Sequence, residues 1–134
     1  MPAAPSPESG AITKHSPHSV ADTVARLLAL LESKGMTVFA VIDQQAAARQ
    51  VGLDLRATTL VLFGNPAGGT PVMDAAPLAA LDLPLKVLVW DGGDQGCQVS
   101  YTDPAVLGAR YGVPAETLAP LTAIGALTDA VVGP

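Results

Sequence analysis

The sequence predicts a single domain mixing strands with helices, and three observations carry that expectation. At 134 residues, about half of them apolar, the chain is long enough for one real core and too short for two independent ones. Three largely apolar runs of strand length, at residues 36–42, 58–63 and 85–90, and an alternating stretch at 97–101 are each shorter than an ordinary helix. Between and around them lie stretches with helical spacing and helix-capping residues at their ends.

Taken in order, residues 1–10 are rich in Pro, Ala and Ser and lack the basic start and apolar stretch of a signal peptide, so a disordered tail is expected there, with the domain filling residues 11–134. Residues 12–15 read as a short first strand. Ser19 can cap a helix, with Asp22 as the charged half of a capping-box-like pair, and Val20, Val24, Leu27, Leu28 and Leu31 then share one face. Gly35 stops that helix. In residues 36–42 both alternating sets of side chains are largely apolar, which calls for cover on two faces and points to a partner subunit. Residues 44–50 form a short Ala-rich helix ended by Gly52.

Residues 58–63 are the next strand, running into a dense series of Gly and Pro with short helical pieces expected around 72–75 and 78–81. The strand at 85–90 leads through Asp91-Gly92-Gly93-Asp94, a hairpin composition, into a strand whose Cys97, Val99 and Tyr101 alternate with Gln98 and Ser100, which predicts one wet face. Asp103-Pro104 opens a helix as N-cap and first-turn proline; it runs to about Tyr111 and closes at Gly112. A last helix opens at Pro120 and lines up Leu121, Ile124, Leu127 or Thr128, and Val131.

Composition narrows the function. With a formal charge of −5 and seven scattered Lys and Arg, the chain is a poor match for nucleic acid, whose binders cluster several cations against phosphates. No apolar stretch reaches the roughly 18 residues of a membrane span, so a cytoplasmic, soluble protein with no membrane partner is expected. The single Cys97 excludes an internal disulfide and a multi-cysteine zinc site, and reads as a small buried hydrophobe. His15 and His18 have a two-histidine spacing with no acidic cluster to complete a metal shell, and no metal or other cofactor is expected.

The chemistry-bearing candidates are few. Gly64, Asn65, Gly68, Gly69 and Thr70, with Pro66 among them and Pro71 next in the chain, form a segment in which backbone geometry is tightly set. It is neither a Walker loop nor a dinucleotide fingerprint, and it reads as a structural turn or as a concave set of N–H groups for an anion. Asp82, between Leu81 and Leu83 and followed by Pro84 and Lys86, is a carboxylate in apolar company, a turn cap or ion-pair partner if structural and a proton-transfer group if buried. Trp90, Tyr101 and Tyr111 are candidates for one aromatic wall of a pocket.

Several of these stretches resemble the family called domain of unknown function 302: Phe63-Gly64-Asn65-Pro66 with Gly69-Thr70-Pro71-Val72-Met73, then residues 81–90, then Ser100-Tyr101-Thr102-Asp103-Pro104 with Leu107 and Arg110, and Lys34-Gly35-Met36 earlier on. The resemblance implies an α+β domain: an antiparallel four- to five-stranded sheet with helices packed on one face, in the order β-α-β-β-β-β-α with short helical insertions. It also implies a homodimer. Where the family pattern has histidines, this chain has Gln44 after Asp43 and Tyr111 after Arg110, so any chemistry resting on those histidines is lost here or passes to neutral hydrogen-bonding side chains. No catalytic constellation emerges. The expectation is a homodimeric module binding a small-molecule or anionic ligand, or a protein, through residues 64–71 and 81–84, with proton transfer by Asp82, Lys86 or Tyr111 as the alternative.

Overall fold

Strand β1 (Ala11–Ser16) and strand β2 (Thr37–Asp43) end up on opposite edges of one sheet, and helix α1 (Val20–Ser33) joins them. Four strand spacings amount to about 19 Å, and a helix of 14 residues rises about 21 Å. One helix is therefore long enough to carry the chain across the whole layer. A computed structural model describes residues 9–134, so the tail expected over residues 1–10 lies outside the described residues apart from Ser9 and Gly10.

After β2 come helix α2 (Gln44–Gln50), strand β3 (Thr58–Gly64), helix α3 (Pro66–Ala75), a 3-10 turn at Pro77–Asp82, strand β4 (Leu85–Asp91), strand β5 (Cys97–Thr102), and helices α4 (Pro104–Tyr111), α5 (Ala115–Leu118) and α6 (Ile124–Val131). The sheet order is β1-β5-β4-β3-β2 and every neighbouring pair is antiparallel. The α+β class, the five-stranded antiparallel sheet and the element order are thus those expected.

Local chemistry accounts for most boundaries. The Ser19 side chain accepts the Asp22 amide at 3.0 Å to open α1, and Gly35 takes φ +67° just beyond its end. Asp43, Asn65 and Asp103 each accept an amide of the first turn of α2, α3 and α4. One layer of helices covers one face of the sheet. Leu27 and Leu31 of α1, with Ile124, Leu127 and Val131 of α6, close over Val61, Phe63, Val87, Val89 and Val99 from the three central strands. Thr23 is buried on α1 as well, so the inward face is centred on Thr23, Leu27 and Leu31, while Val20, Val24 and Leu28 flank it half-buried.

Three expectations need correction. Strand β5 has no wet face: Gln98 and Ser100 are 4% and 9% exposed. As a strand flanked on both sides, β5 is shielded by its neighbours' side chains; Thr13 and Trp90 meet the Ser100 hydroxyl at 2.8 and 3.0 Å, and Gln98 folds onto the Gln95 carbonyl at 2.7 Å. Second, the glycine-rich stretch is helix from Pro66 onward, because the Asn65 cap and a first-turn proline outweigh the roughly 1 kcal/mol that each interior glycine costs. Third, Trp90 and Tyr101 cannot share a wall. The register pairs Trp90 with Gln98, so Tyr101, three residues on, projects from the opposite face.

Strand β2 keeps one free edge. Its Val38, Phe39, Val41 and Ile42 are 36–55% exposed in the single chain, so the cover predicted for its two apolar faces is not supplied by the chain itself.

Candidate functional site

Where β3 ends, the chain turns through Asn65 into α3, which lies against the 3-10 turn at Ala119–Ala123. The approach is close. A Cβ on Gly68 would stand 3.1 Å from the Pro120 Cβ, which is why a residue without a side chain occupies this buried position. The chain then passes the Pro77–Asp82 turn and enters β4 across a cis Leu83–Pro84 bond.

Between these segments and the start of β2 lies a groove of about 580 Å³. Met36, Phe39 and Ala40 line it from the β2 side, Leu62 and Gly64 from β3, and Asn65, Pro66, Gly68, Gly69, Thr70 and Met73 from α3. Leu83, Pro84, Leu85, Pro120, Leu121 and Ala123 complete the wall. No ionisable side chain is among the lining residues, and Asn65 and Thr70 alone bring polar side chains. Asn65 is already engaged, its side chain accepting the Ala67 amide at 3.0 Å and its carbonyl accepting the Gly68 and Gly69 amides at 2.8 and 3.0 Å. Those amides are spent inside the helix, so they form no cradle for an anion. The groove recognises by shape and apolar contact.

A second, smaller feature gathers the ionisable candidates. The Asp82 carboxylate accepts the Tyr111 hydroxyl at 2.5 Å and pairs with Arg110 at 2.8 Å. Beside it a hollow of about 80 Å³ is lined by Lys86, Thr102 and Leu107 among others. The Tyr111 hydrogen bond, and next to it the Arg110 guanidinium and the Lys86 charge, hold Asp82 below the usual carboxylate range against the opposing effect of burial. The same bond raises Tyr111 above the ordinary phenol value, helped by burial. A carboxylate so engaged is a weak base and a firm latch, tying the end of α4 to the turn before β4.

The candidate residues from the sequence therefore fall into separate groups. Gly64, Asn65, Gly68, Gly69 and Thr70 meet in the groove; Asp82 joins Tyr111 away from it. Trp90 lies on the open face of the sheet, and Tyr101 is buried under the helices with the Lys14 ammonium 5.2 Å from its ring centre. Gln44 is exposed at the start of α2. His15 and His18 take different carbonyls, Gln95 at 3.1 Å and Gly133 at 2.7 Å. Cys97 is buried 3.5 Å from the Thr23 hydroxyl.

Sequence reasoning missed the apolar lining, Met36, Phe39, Leu62, Met73 and Leu121, which comes from segments far apart in the chain; the doubly apolar strand containing Phe39 was its one available signal. It also missed Lys14, 8% exposed, which donates to the Gly125 carbonyl at 2.8 Å and the Thr128 hydroxyl at 2.7 Å and pairs with Asp129 at 2.8 Å.

Fold and site together define a two-layer α+β domain with an apolar groove at one end of an antiparallel sheet. The chain belongs to the family described as domain of unknown function DUF302, whose model matches residues 12–130. A crystal structure of an uncharacterized conserved DUF302 protein from Bacillus stearothermophilus has the same fold, with a TM-score of 0.81 at 21% identity over 91% of this chain and 98% of that one. Two Brucella proteins, from Brucella suis and Brucella abortus, both named fluoride-specific ion channel FluC 1, are 41% identical over 104 residues, 78% of this chain. The match spans 41% and 38% of those relatives. Among the described residues no helix is long and apolar enough to cross a membrane.

Proposed function

We infer that this chain is a binding module, working as a pair of identical subunits, that holds a small uncharged apolar molecule in the groove beside α3. The observation that carries the reading is the groove's lining: a volume within the roughly 300–1,000 Å³ of small-molecule sites, walled by apolar side chains and shaped backbone with no ionisable group. Proton transfer by Asp82, Lys86 or Tyr111 draws less support. Asp82 is held charged by two partners, and it lines a different hollow from Thr70. The free β2 edge and its exposed apolar side chains favour self-association.

The Brucella relatives carry a channel name, but the matching segment is less than half of their length and has no membrane-crossing helix here. On this reading the segment is a domain appended to a channel, and the pore belongs to the rest of those proteins.

The test is fluorescence titration with the neutral probe N-phenyl-1-naphthylamine. Saturable binding is expected, and Met73→Lys, which puts a charge into the groove near the end of α3, should weaken it about tenfold or more while leaving thermal stability within about 0.5 kcal/mol. Absence of saturable binding to the wild-type chain would refute the reading.

A further inference from the structure

The groove and the free edge of β2 share one residue. Phe39 sits at a bulge in β2, where Val38 pairs with Phe63 and Ala40 with Leu62, leaving Phe39 as the extra residue. Its ring lies beside Gly64, where a Cβ would meet Cε2 at 3.5 Å, and it lines the groove. Phe39 is nonetheless 55% exposed, and it lies on the strand whose outer edge has no partner. The groove is therefore walled on the α3, β4 and Ala119–Ala123 sides by well-packed segments, and on the β2 side by a residue that is itself half-exposed on an edge strand.

We propose that the groove is a two-chain site: a second copy of this chain pairs along β2, closes the β2 side over Phe39, and so links uptake of an uncharged apolar molecule to dimerisation. This rests on the apolar-ligand reading above and adds a partner-chain wall to it. Three observations select a second copy as the occupant. The edge of β2 presents unpaired backbone donors and acceptors, which an identical antiparallel strand satisfies in register with itself. Its side chains are apolar on both faces, so a strand added there is covered above and below. Finally, Val38, Phe39, Val41 and Ile42, with Val51, Leu53 and Leu55 on the connection that follows, are each 36–71% exposed. Taking roughly 150–200 Å² for a fully exposed residue of this size, they present about 600 Å² of apolar surface, most of the roughly 800 Å² that each partner contributes to a standard interface.

Linkage then fixes the behaviour. If the partner completes the groove, each bound ligand must tighten the dimer by the same factor by which dimerisation tightens that ligand, so a symmetric dimer with both grooves filled is tightened by the square of the factor. Val41 provides the means of separating the two, since it is exposed on β2 but does not line the groove. A lysine there is the kind of edge charge that blocks strand pairing. The experiment measures, by sedimentation velocity over a concentration series, the dimerisation of wild-type, Val41→Lys and Ile42→Lys chains with and without N-phenyl-1-naphthylamine, and the probe affinity of each by fluorescence. Circular dichroism selects for interpretation whichever of the two variants is folded. The expected result is a monomeric variant whose probe affinity is about tenfold weaker, and a wild-type dimer that saturating probe tightens by about the square of that factor, on the order of a hundredfold. A monomeric variant with unchanged probe affinity overturns the two-chain site and leaves the apolar-ligand reading standing. A wild-type monomer, or a variant that dimerises as wild type does, overturns the β2 interface. Failure of the wild-type chain to bind the probe at all overturns both readings.

Discussion

Gly68 and Gly69 are adjacent in the same helix, and substituting each by alanine should have opposite effects. Neither has positive φ, so the backbone accepts a Cβ at both positions, and each exchange should gain about 0.5–1 kcal/mol from reduced unfolded-state freedom and better helix propensity. The surroundings then decide the sign. At Gly69 the nearest atom to a new Cβ is the Met73 Cε at 3.9 Å, an ordinary contact, so the full gain survives. At Gly68 the new methyl would stand 3.1 Å from the Pro120 Cβ, in a ring fixed to the Ala119–Ala123 turn, and overpacking of this kind costs about 1–3 kcal/mol. Gly69→Ala should therefore raise the melting temperature by about 2–4 °C, and Gly68→Ala should lower it by up to about 8 °C. Urea denaturation gives the free energies directly, provided the m-value is unchanged. Equal shifts of the same sign would refute the packing of α3 on the turn at Pro120. The methyl at Gly69 also enters the groove, so Gly69→Ala should be more stable and yet bind N-phenyl-1-naphthylamine less tightly, which would mark that glycine as kept for space rather than for stability.

Other expectations follow from the charged groups. Because Asp82 titrates lower when folded, its contribution to stability is complete above the ordinary aspartate range near pH 4 and fades as pH falls through the lower folded value; Asp82→Asn should flatten the urea midpoint between about pH 4 and 2. Tyr111 titrates higher when folded, so its contribution is complete below about pH 10 and fades as pH rises beyond that, and Tyr111→Phe should remove this alkaline loss. Lys14→Met should destabilise by about 2–3 kcal/mol in urea unfolding, since hydrogen bonds to a charged group are worth about 1.5–3 kcal/mol. Asp129→Ala should cost under about 1 kcal/mol, because Asp129 is 73% exposed and its pair with Lys14 is screened.

How much of this was legible in the sequence depends on the range of the interactions involved. Helices α2 and α4 were placed to the residue at residues 44–50 and about 104–111, because an Asp cap and a terminal Gly act within a turn of the chain. The strands were found within a residue or so because their apolar runs are bounded by Gly, Pro or charge. The start of α3 was missed where a local rule was available: Asn65-Pro66 is a cap followed by a first-turn proline, and the neighbouring glycines masked it. The dryness of Gln98 and Ser100 was a different kind of failure. It depends on which strands flank β5, and no pattern within residues 97–102 records that β1 crosses the layer to lie there. The separation of Trp90 from Tyr101 depends likewise on a hairpin register, where a shift of one residue reverses every face.

The groove and the Asp82 latch, though separate in space, are joined through the chain. Asp82 ends the 3-10 turn that leads directly into Leu83, Pro84 and Leu85, and those residues are one wall of the groove. Arg110 and Tyr111 hold that turn from α4, so the ionisable residues in this part of the molecule bear on the groove through the position of a wall. The arrangement also favours a phenol at residue 111. A tyrosine stays a hydrogen-bond donor across the physiological range, whereas a histidine there would change charge near neutral pH and alter its hold on Asp82. With Tyr111, the wall is held the same way from about pH 4 to pH 10, so probe binding should be flat across that interval. A groove that loses its probe at mildly acid pH, with the chain still folded, would mean that some other titrating group reaches the site.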